Sequence, residues 1–228
     1  MALACPGSDG SGSAGMMMRI SGSTRPPGGE SDCSDRCGWW SESSRIVMAL
    51  ADGLGHRPAY AAEIAIACIG AGLERSIAET FAACDVRLRD TGGVALAVAF
   101  VDLAVESVTM ASVGHIRVAL LKGNTRYHLR GSHGIVGGGH DRLTPETRPL
   151  AHGDTVMLFS DGAAESGALG ERCEGAAPQS LDQIRTDLNR WVRKDDDAAV
   201  LIYHHEARTI QEAILQQGAA RFRLLQDR

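Results

Sequence analysis

The sequence predicts an α+β fold: two antiparallel β-sheets packed face to face, with helices on the outside. Three features of the 228-residue chain lead there. Four strand-like runs follow one another between residues 94 and 129 across tight turns such as Lys122-Gly123-Asn124, the spacing of an antiparallel meander. Helical periodicities gather in stretches of their own, at 59–88 and beyond 180, instead of alternating with strands as βαβ units would. Three apolar strands that belong inside also carry acidic residues at their ends, which brings carboxylates to the rim of a sheet.

The elements follow in order. Residues 1–30 are dominated by Gly, Ser and Pro and read as a flexible leader, with residues 17–21 a candidate edge strand. A domain covering 31–205 then opens near Ser34-Asp35. Residues 45–51 form a short apolar run bounded by polar residues, the mark of a buried strand. After a turn at 52–58, residues 59–73 carry Ala and Ile at helical spacing, and Pro58 suits the first turn of that helix. Ser76 with Glu79 makes a capping box for a second helix ending near residue 88. The strands of the meander span 94–101, 107–112, 117–122 and 126–129. Residues 131–148 contain Gly137-Gly138-Gly139 and little periodicity, so a mobile loop is expected there. Gly139-His140-Asp141 lacks the Gly-Lys-Ser/Thr of a nucleotide-cradling loop. Strands at 155–159 and 198–203 flank a loop at 167–178 and a helix at 181–192 capped by Ser180. A last helix occupies 206–225 within a C-terminal segment, 206–228, interrupted by Gly218.

Composition narrows the function. A net charge of −5 and 4 % aromatic residues argue against a nucleic-acid or membrane-surface binder, which needs a basic face. No apolar run approaches the roughly 18 residues that would span a bilayer. The N-terminus lacks a basic stretch followed by an apolar one, so a cytoplasmic protein is expected. The 6 cysteines are scattered. Cys33 and Cys37 lack the second pair or nearby His of a zinc site, and reduced thiols are expected.

The acidic strand ends carry the chemistry. Strands 46–51 and 155–159 lead into Asp52-Gly53 and Asp161-Gly162, and the run Asp195-Asp196-Asp197 precedes the strand at 198. One Asp-Gly pair alone is a common turn. Three acidic ends on interior strands are less easily explained as turns, because carboxylates forced together repel unless cations lie between them. Hard divalent cations such as Mg²⁺ or Mn²⁺ favour oxygen ligands.

Ala51-Asp52-Gly53-Leu54-Gly55-His56 resembles the Asp-Gly-x-Gly-His signature of the bacterial branch of the metal-dependent protein phosphatases, the type 2C or PPM family. Phe159-Ser160-Asp161-Gly162 and Asp196-Asp197-Ala198-Ala199-Val200-Leu201 are similar to that family's later Asp-Gly and closing Asp-Asp/Asn motifs. Ala111-Ser112-Val113-Gly114-His115 is similar to its internal Ala-Gly-Val-Gly-Asn turn, and Arg148 to Asp154 to the lead-in of the second metal motif. The match runs over residues 34–205. Because only a short leader precedes the domain, the chain most resembles the RsbX-like, stand-alone stressosome phosphatases.

The resemblance implies a four-layer α/β/β/α sandwich and hydrolysis of phosphoserine or phosphothreonine by a bridging water activated by two divalent cations, Mn²⁺ or Mg²⁺. Asp52 would bridge both ions, the Gly53 carbonyl would bind one, and Asp161 and Asp196 would complete the other's shell. Asp35 would hold the second ion directly or through waters. His56 is a candidate proton donor to the leaving alkoxide, alongside a metal-bound water. His115, His133 and His140 rank lower, since such a site needs oxygen donors more than imidazole. The partner implied is a phosphorylated protein, such as a STAS-domain stressosome or anti-sigma-antagonist protein in stress or sigma-factor signalling. Four positions depart from the pattern: Ser34 replaces Gly, Arg57 follows the His where Gly is common, Ala199 replaces Ser/Thr, and Leu54 stands where eukaryotic members have a His. These keep an alternative open, a pseudophosphatase serving as a regulatory binding module.

Overall fold

The computed structural model describes residues 19–28, 32–123, 125–164 and 196–206. The strands are β1 (Arg19–Arg25), β2 (Asp35–Glu42), β3 (Arg45–Gly53), β4 (Val94–Asp102), β5 (Ser107–Val113), β6 (Arg117–Lys122), β7 (Thr125–His128), β8 (Gly134–Ile135), β9 (Gly139–His140), β10 (Glu146–Pro149), β11 (Thr155–Phe159) and β12 (Ala198–His204). Among the described residues, three helices accompany them: α1 (Pro58–Gly70), α2 (Ile77–Leu88) and the single turn α3 (Asp161–Ala164).

Two five-stranded antiparallel sheets form, in the orders β1-β12-β11-β6-β7 and β10-β5-β4-β3-β2. One apolar cluster fills the space between them, with Ile46, Met48 and Leu50 of β3 facing Leu158 of β11 and Leu201 of β12. The alternate residues of β3, Val47, Ala49 and Ala51, point the other way, toward Ala61, Ala65 and Ile69 of α1 and Phe81 and Leu88 of α2. Strand β3 is therefore apolar on both faces, which is why it reads as a continuous apolar run and not as an alternating one. The outer face of the other sheet carries a smaller cluster, Ala119, Met157, Ala163, Ala198, Val200 and Ile202. The two-sheet sandwich expected from the sequence is present. The helices expected at 181–192 and 206–225 lie outside the described residues.

The capping box forms as expected: Ser76 Oγ accepts from the Glu79 amide at 3.3 Å and the Glu79 carboxylate accepts from the Ser76 amide at 2.8 Å. The candidate edge strand extends further than its apolar residues suggest, since β1 pairs along its whole length with β12. Strand β2 has no counterpart in the sequence reading. Its Gly, Ser and Trp residues show no clear period, and pairing with β3 from Asp35–Asp52 to Glu42–Arg45 is what makes it a strand.

The stretch 131–148, expected to be a mobile loop, is ordered and anchored. It holds the β8–β9 hairpin and β10, which pairs with the edge of β5. Val136 exchanges backbone hydrogen bonds with Val94, both 3.0 Å. The Asp85 carboxylate of α2 accepts from the Gly137 amide at 2.8 Å and pairs with His140 Nε2 at 2.9 Å. Glycines that hide a period from the sequence are here fixed by partners distant along the chain. Cys33, Cys68 and Cys84 are free thiols, while Cys37 is disulfide-bonded, against the expectation of reduced thiols throughout.

Candidate metal centre

The centre is built where β2, β3, β5, β11 and β12 end together. Antiparallel pairing sets Asp35, the first residue of β2, directly opposite Asp52 near the end of β3. The next residue, Gly53, donates its amide to the Ser34 carbonyl at 3.2 Å. A Cβ at Gly53 would lie 1.9 Å from the Pro58 carbonyl oxygen, so only glycine lets the first turn of α1 approach the strand this closely.

The other sheet contributes through Ser160, which the sequence reading assigned no role. Its amide donates to the Ala199 carbonyl at 3.0 Å, and its Oγ accepts from the Ala199 amide at 2.9 Å. The same hydroxyl donates to Asp35 Oδ2 at 2.7 Å, so a buried serine ties β11 and β12 of one sheet to β2 of the other. Asp161 follows it and opens α3, with Oδ1 accepting from the Gly162 amide at 3.0 Å. A Cβ at Gly162 would meet the Asp197 carbonyl oxygen at 2.0 Å, which presses the Asp161 turn against the Asp196-Asp197 pair.

His115, just past the end of β5, completes the arrangement. Its Nδ1 lies 3.4 Å from Asp52 Oδ2 and 3.3 Å from Asp161 Oδ2. One ligand atom from each of Asp52, His115 and Asp161 falls within 4.8 Å of the others.

The electrostatics show a site with too much negative charge for its burial. Asp35 is fully buried, and its Oδ1 has no hydrogen-bond partner among the described residues. Burial pushes its carboxyl well above the usual range and repulsion from Asp52 and Asp197 adds to this, against the Ser160 hydrogen bond. The Asp52 carboxyl is pushed up to about 6, first by burial, with Asp161 and Asp197 adding repulsion and the His115 charge opposing. Cys33 beside them is raised by burial and then by Asp35 and Asp197. Crowded, desolvated carboxylates with an orphaned oxygen are what a divalent cation relieves, and the donors are the hard oxygens such ions favour. The residues present fit that group.

Asp35, Asp52 and Asp161 thus share one rim with Gly53 between them. In the Asp196-Asp197 pair, the charge of Asp197 reaches Asp35 and Asp52, and its carboxylate accepts from Ser34 Oγ. Asp196 lies against Gly162, 3.4 Å from the place of its absent Cβ. His56 is exposed on the turn before α1, and the imidazole that meets the carboxylates is His115. Its signal in the sequence is Gly114-His115 at the end of a buried strand, a pattern too common to stand out alone. A cleft of about 480 Å³ opens beside the centre, lined by Ser34, Arg57, Tyr60, Glu63 and Asp197 among others. Within it the Arg57 guanidinium stacks 4.4 Å over the Tyr60 ring.

The family model for stage II sporulation protein E (SpoIIE) matches residues 42–206, most of the described chain. The chain belongs to the SpoIIE family. It is thereby a bacterial protein-serine/threonine phosphatase of the PP2C, or PPM, type. No curated protein matches it significantly. Among solved structures, a chain described with the bacterial stressosome, "a modular system that has been adapted to control secondary messenger signaling", is 28 % identical, with a TM-score of 0.72 over 83 % of this chain and 100 % of that one. RsbX in complex with magnesium is 17 % identical, with a TM-score of 0.70 over 83 % of this chain and 97 % of its own. The PP2C phosphatase domain of SpoIIE from Bacillus subtilis, with a fragment of its regulatory domain, is 17 % identical at a TM-score of 0.70, over 84 % and 64 % of the two chains. At these identities RsbX and SpoIIE speak for the fold. Among the described residues of this SpoIIE-family chain, no helix is long and apolar enough to cross a membrane.

Proposed function

We propose that the protein removes phosphate from phosphoserine or phosphothreonine on a bacterial regulatory protein in the cytoplasm, using divalent cations, Mn²⁺ or Mg²⁺, held by Asp35, Asp52, the Gly53 carbonyl, Asp161 and Asp196, with Asp197 beside them. The observation that carries this reading is the pairing of a fully buried, half-satisfied Asp35 with Asp52 across two strands, an arrangement that is stable at neutral pH when a cation lies between them. When bound, the ions lower the pKa of water and offset charge on the phosphoryl group.

The chain's own residues do the rest. Asp52 sits near the end of a strand buried on both faces, which fixes the backbone from which its carboxylate reaches the site. Ser160 holds Asp35 by one oxygen and leaves the other facing the site. The cleft beside Asp197 admits a phosphorylated side chain, and Arg57 on its wall supplies a cation for the phosphate oxygens. His56, exposed on the turn before α1, is the candidate proton donor to the departing alkoxide. The partner is a STAS-domain protein of a stressosome or an anti-sigma antagonist, a reading supported by the fold shared with RsbX and with the stressosome chain.

Two measurements test this. Hydrolysis of p-nitrophenyl phosphate should require Mn²⁺ or Mg²⁺, stop with chelator, and fall at least about 10²-fold in Asp52→Asn and Asp161→Asn. Phosphate should also be released from phosphorylated STAS-domain proteins encoded nearby. Turnover that survives chelation removes the metal reading, and hydrolysis of the small ester without any phosphoprotein substrate removes the partner.

A further inference from the structure

We infer that His115 is itself a metal ligand, an imidazole nitrogen added to an otherwise all-oxygen centre, and that it tilts this chain's ion preference from Mg²⁺ toward transition metals. The inference rests on the metal-centre reading above and goes beyond its set of oxygen donors. Although 42 % of the side chain is exposed, Nδ1 is sealed from solvent and has no hydrogen-bond partner among the described residues. It points at Asp52 Oδ2 and Asp161 Oδ2, 3.4 and 3.3 Å away.

Those separations are informative. They are longer than the roughly 2.7–3.2 Å of an N–H···O hydrogen bond, and longer still than the charge-assisted bond an imidazolium would make to a carboxylate. They match the edge of a coordination sphere instead: ligand bonds of about 2.0–2.2 Å set neighbouring donors about 3.0–3.4 Å apart in octahedral or tetrahedral arrangement. A second observation lies beside it. Asp35, the register partner of Asp52, is completely buried, and its Oδ1 has no hydrogen-bond partner among the described residues.

Coordination through Nδ1 needs the neutral tautomer that carries its proton on Nε2. A neutral nitrogen is a softer donor than a carboxylate, and ions later in the first transition row bind it more strongly than Mg²⁺ does. The ring sits on a rigid support: Gly114 donates its amide to the Ser132 carbonyl at 3.0 Å and a Cβ at Gly114 would lie 2.7 Å from Ala95, so the turn that carries His115 is closely packed.

The test uses the full, tag-free chain and metal salts alone. Pulsed EPR of the Mn²⁺-loaded protein should show ¹⁴N coupling from a bound imidazole, present in the wild type and in His133→Asn and absent in His115→Asn. Calorimetric titration should show Co²⁺ binding weakened at least about tenfold by His115→Asn, with Mg²⁺ binding changed by less than about threefold. Ions that bind the wild type without ¹⁴N coupling, coupling that persists in His115→Asn, or an equal loss for Co²⁺ and Mg²⁺ would each overturn the role of His115 while leaving the metal centre intact. A wild type that binds neither ion would overturn both.

Discussion

Replacing Asp35 by Asn should stabilise the protein when metal is absent and destabilise it, relative to the wild type, when metal is present. Asn keeps the shape of the side chain and can still accept from Ser160 Oγ, while its amide can donate toward Asp52 across the β2–β3 pair. What disappears is one buried charge. Burial, and after it repulsion from Asp52 and Asp197, pushes the Asp35 carboxyl well above its usual range, so the folded protein without metal opposes that charge. Each unit of such a shift opposes ionisation by about 1.4 kcal/mol. A gain of about 2 kcal/mol in chelated protein is expected, or about 4–8 °C in Tm for a chain of this size. Saturating cation reverses the order, since an ion at 100 times its Kd adds about 2.7 kcal/mol to the folded state that holds it. Thermal unfolding followed by circular dichroism in chelator and in Mn²⁺ gives four melting points, which should cross. If Asp35→Asn melts lower in chelator and gains as much from Mn²⁺ as the wild type, the carboxylates are not a strained nest waiting for an ion.

Three further outcomes are expected. In chelator, the wild type should lose stability as pH rises from the ordinary carboxylate range through about 6, because the folded state holds a proton on Asp52 that the unfolded chain has released; urea titrations from pH 4 to 7 would show this, and Mn²⁺ should flatten the slope. Ser160→Ala leaves the Ala199 amide and Asp35 Oδ2 without their shared partner, so it should cost about 2–3 kcal/mol in denaturant unfolding and reduce metal-dependent hydrolysis at least tenfold. Ser76→Ala removes the cap of α2 on the far side of β3–β4, costing about 1 kcal/mol while leaving turnover per folded molecule unchanged.

Much of the fold was legible because it follows from local rules. Apolar runs at 45–51, 94–101 and 198–203 became buried strands, and Ser76 with Glu79 capped its helix, because burial and capping act over a few residues. The Asp-Gly pairs stood out for the same reason: glycine is demanded where the Pro58 and Asp197 carbonyls press on the backbone, and the carboxylates follow buried strands. Strand β2 and the anchored stretch 131–148 were not legible. Their residues carry no period, and what orders them is pairing, β2 in a hairpin with β3 and the stretch 131–148 against β5 and Asp85, tens of residues away.

The division at the site has the same origin. Asp35, Asp52 and Asp161 are written in the chain as residue types at strand ends, and their chemistry as hard oxygen donors needs no coordinates. That Asp35 faces Asp52, that Ser160 bridges the two sheets to reach it, and that His115 turns its Nδ1 on Asp52 and Asp161 depends on register and sheet packing. A one-residue slip between β2 and β3 would part Asp35 from Asp52 and from Ser160 without changing a single local preference, because pairing register is set by the whole buried face and not by the residues that meet there.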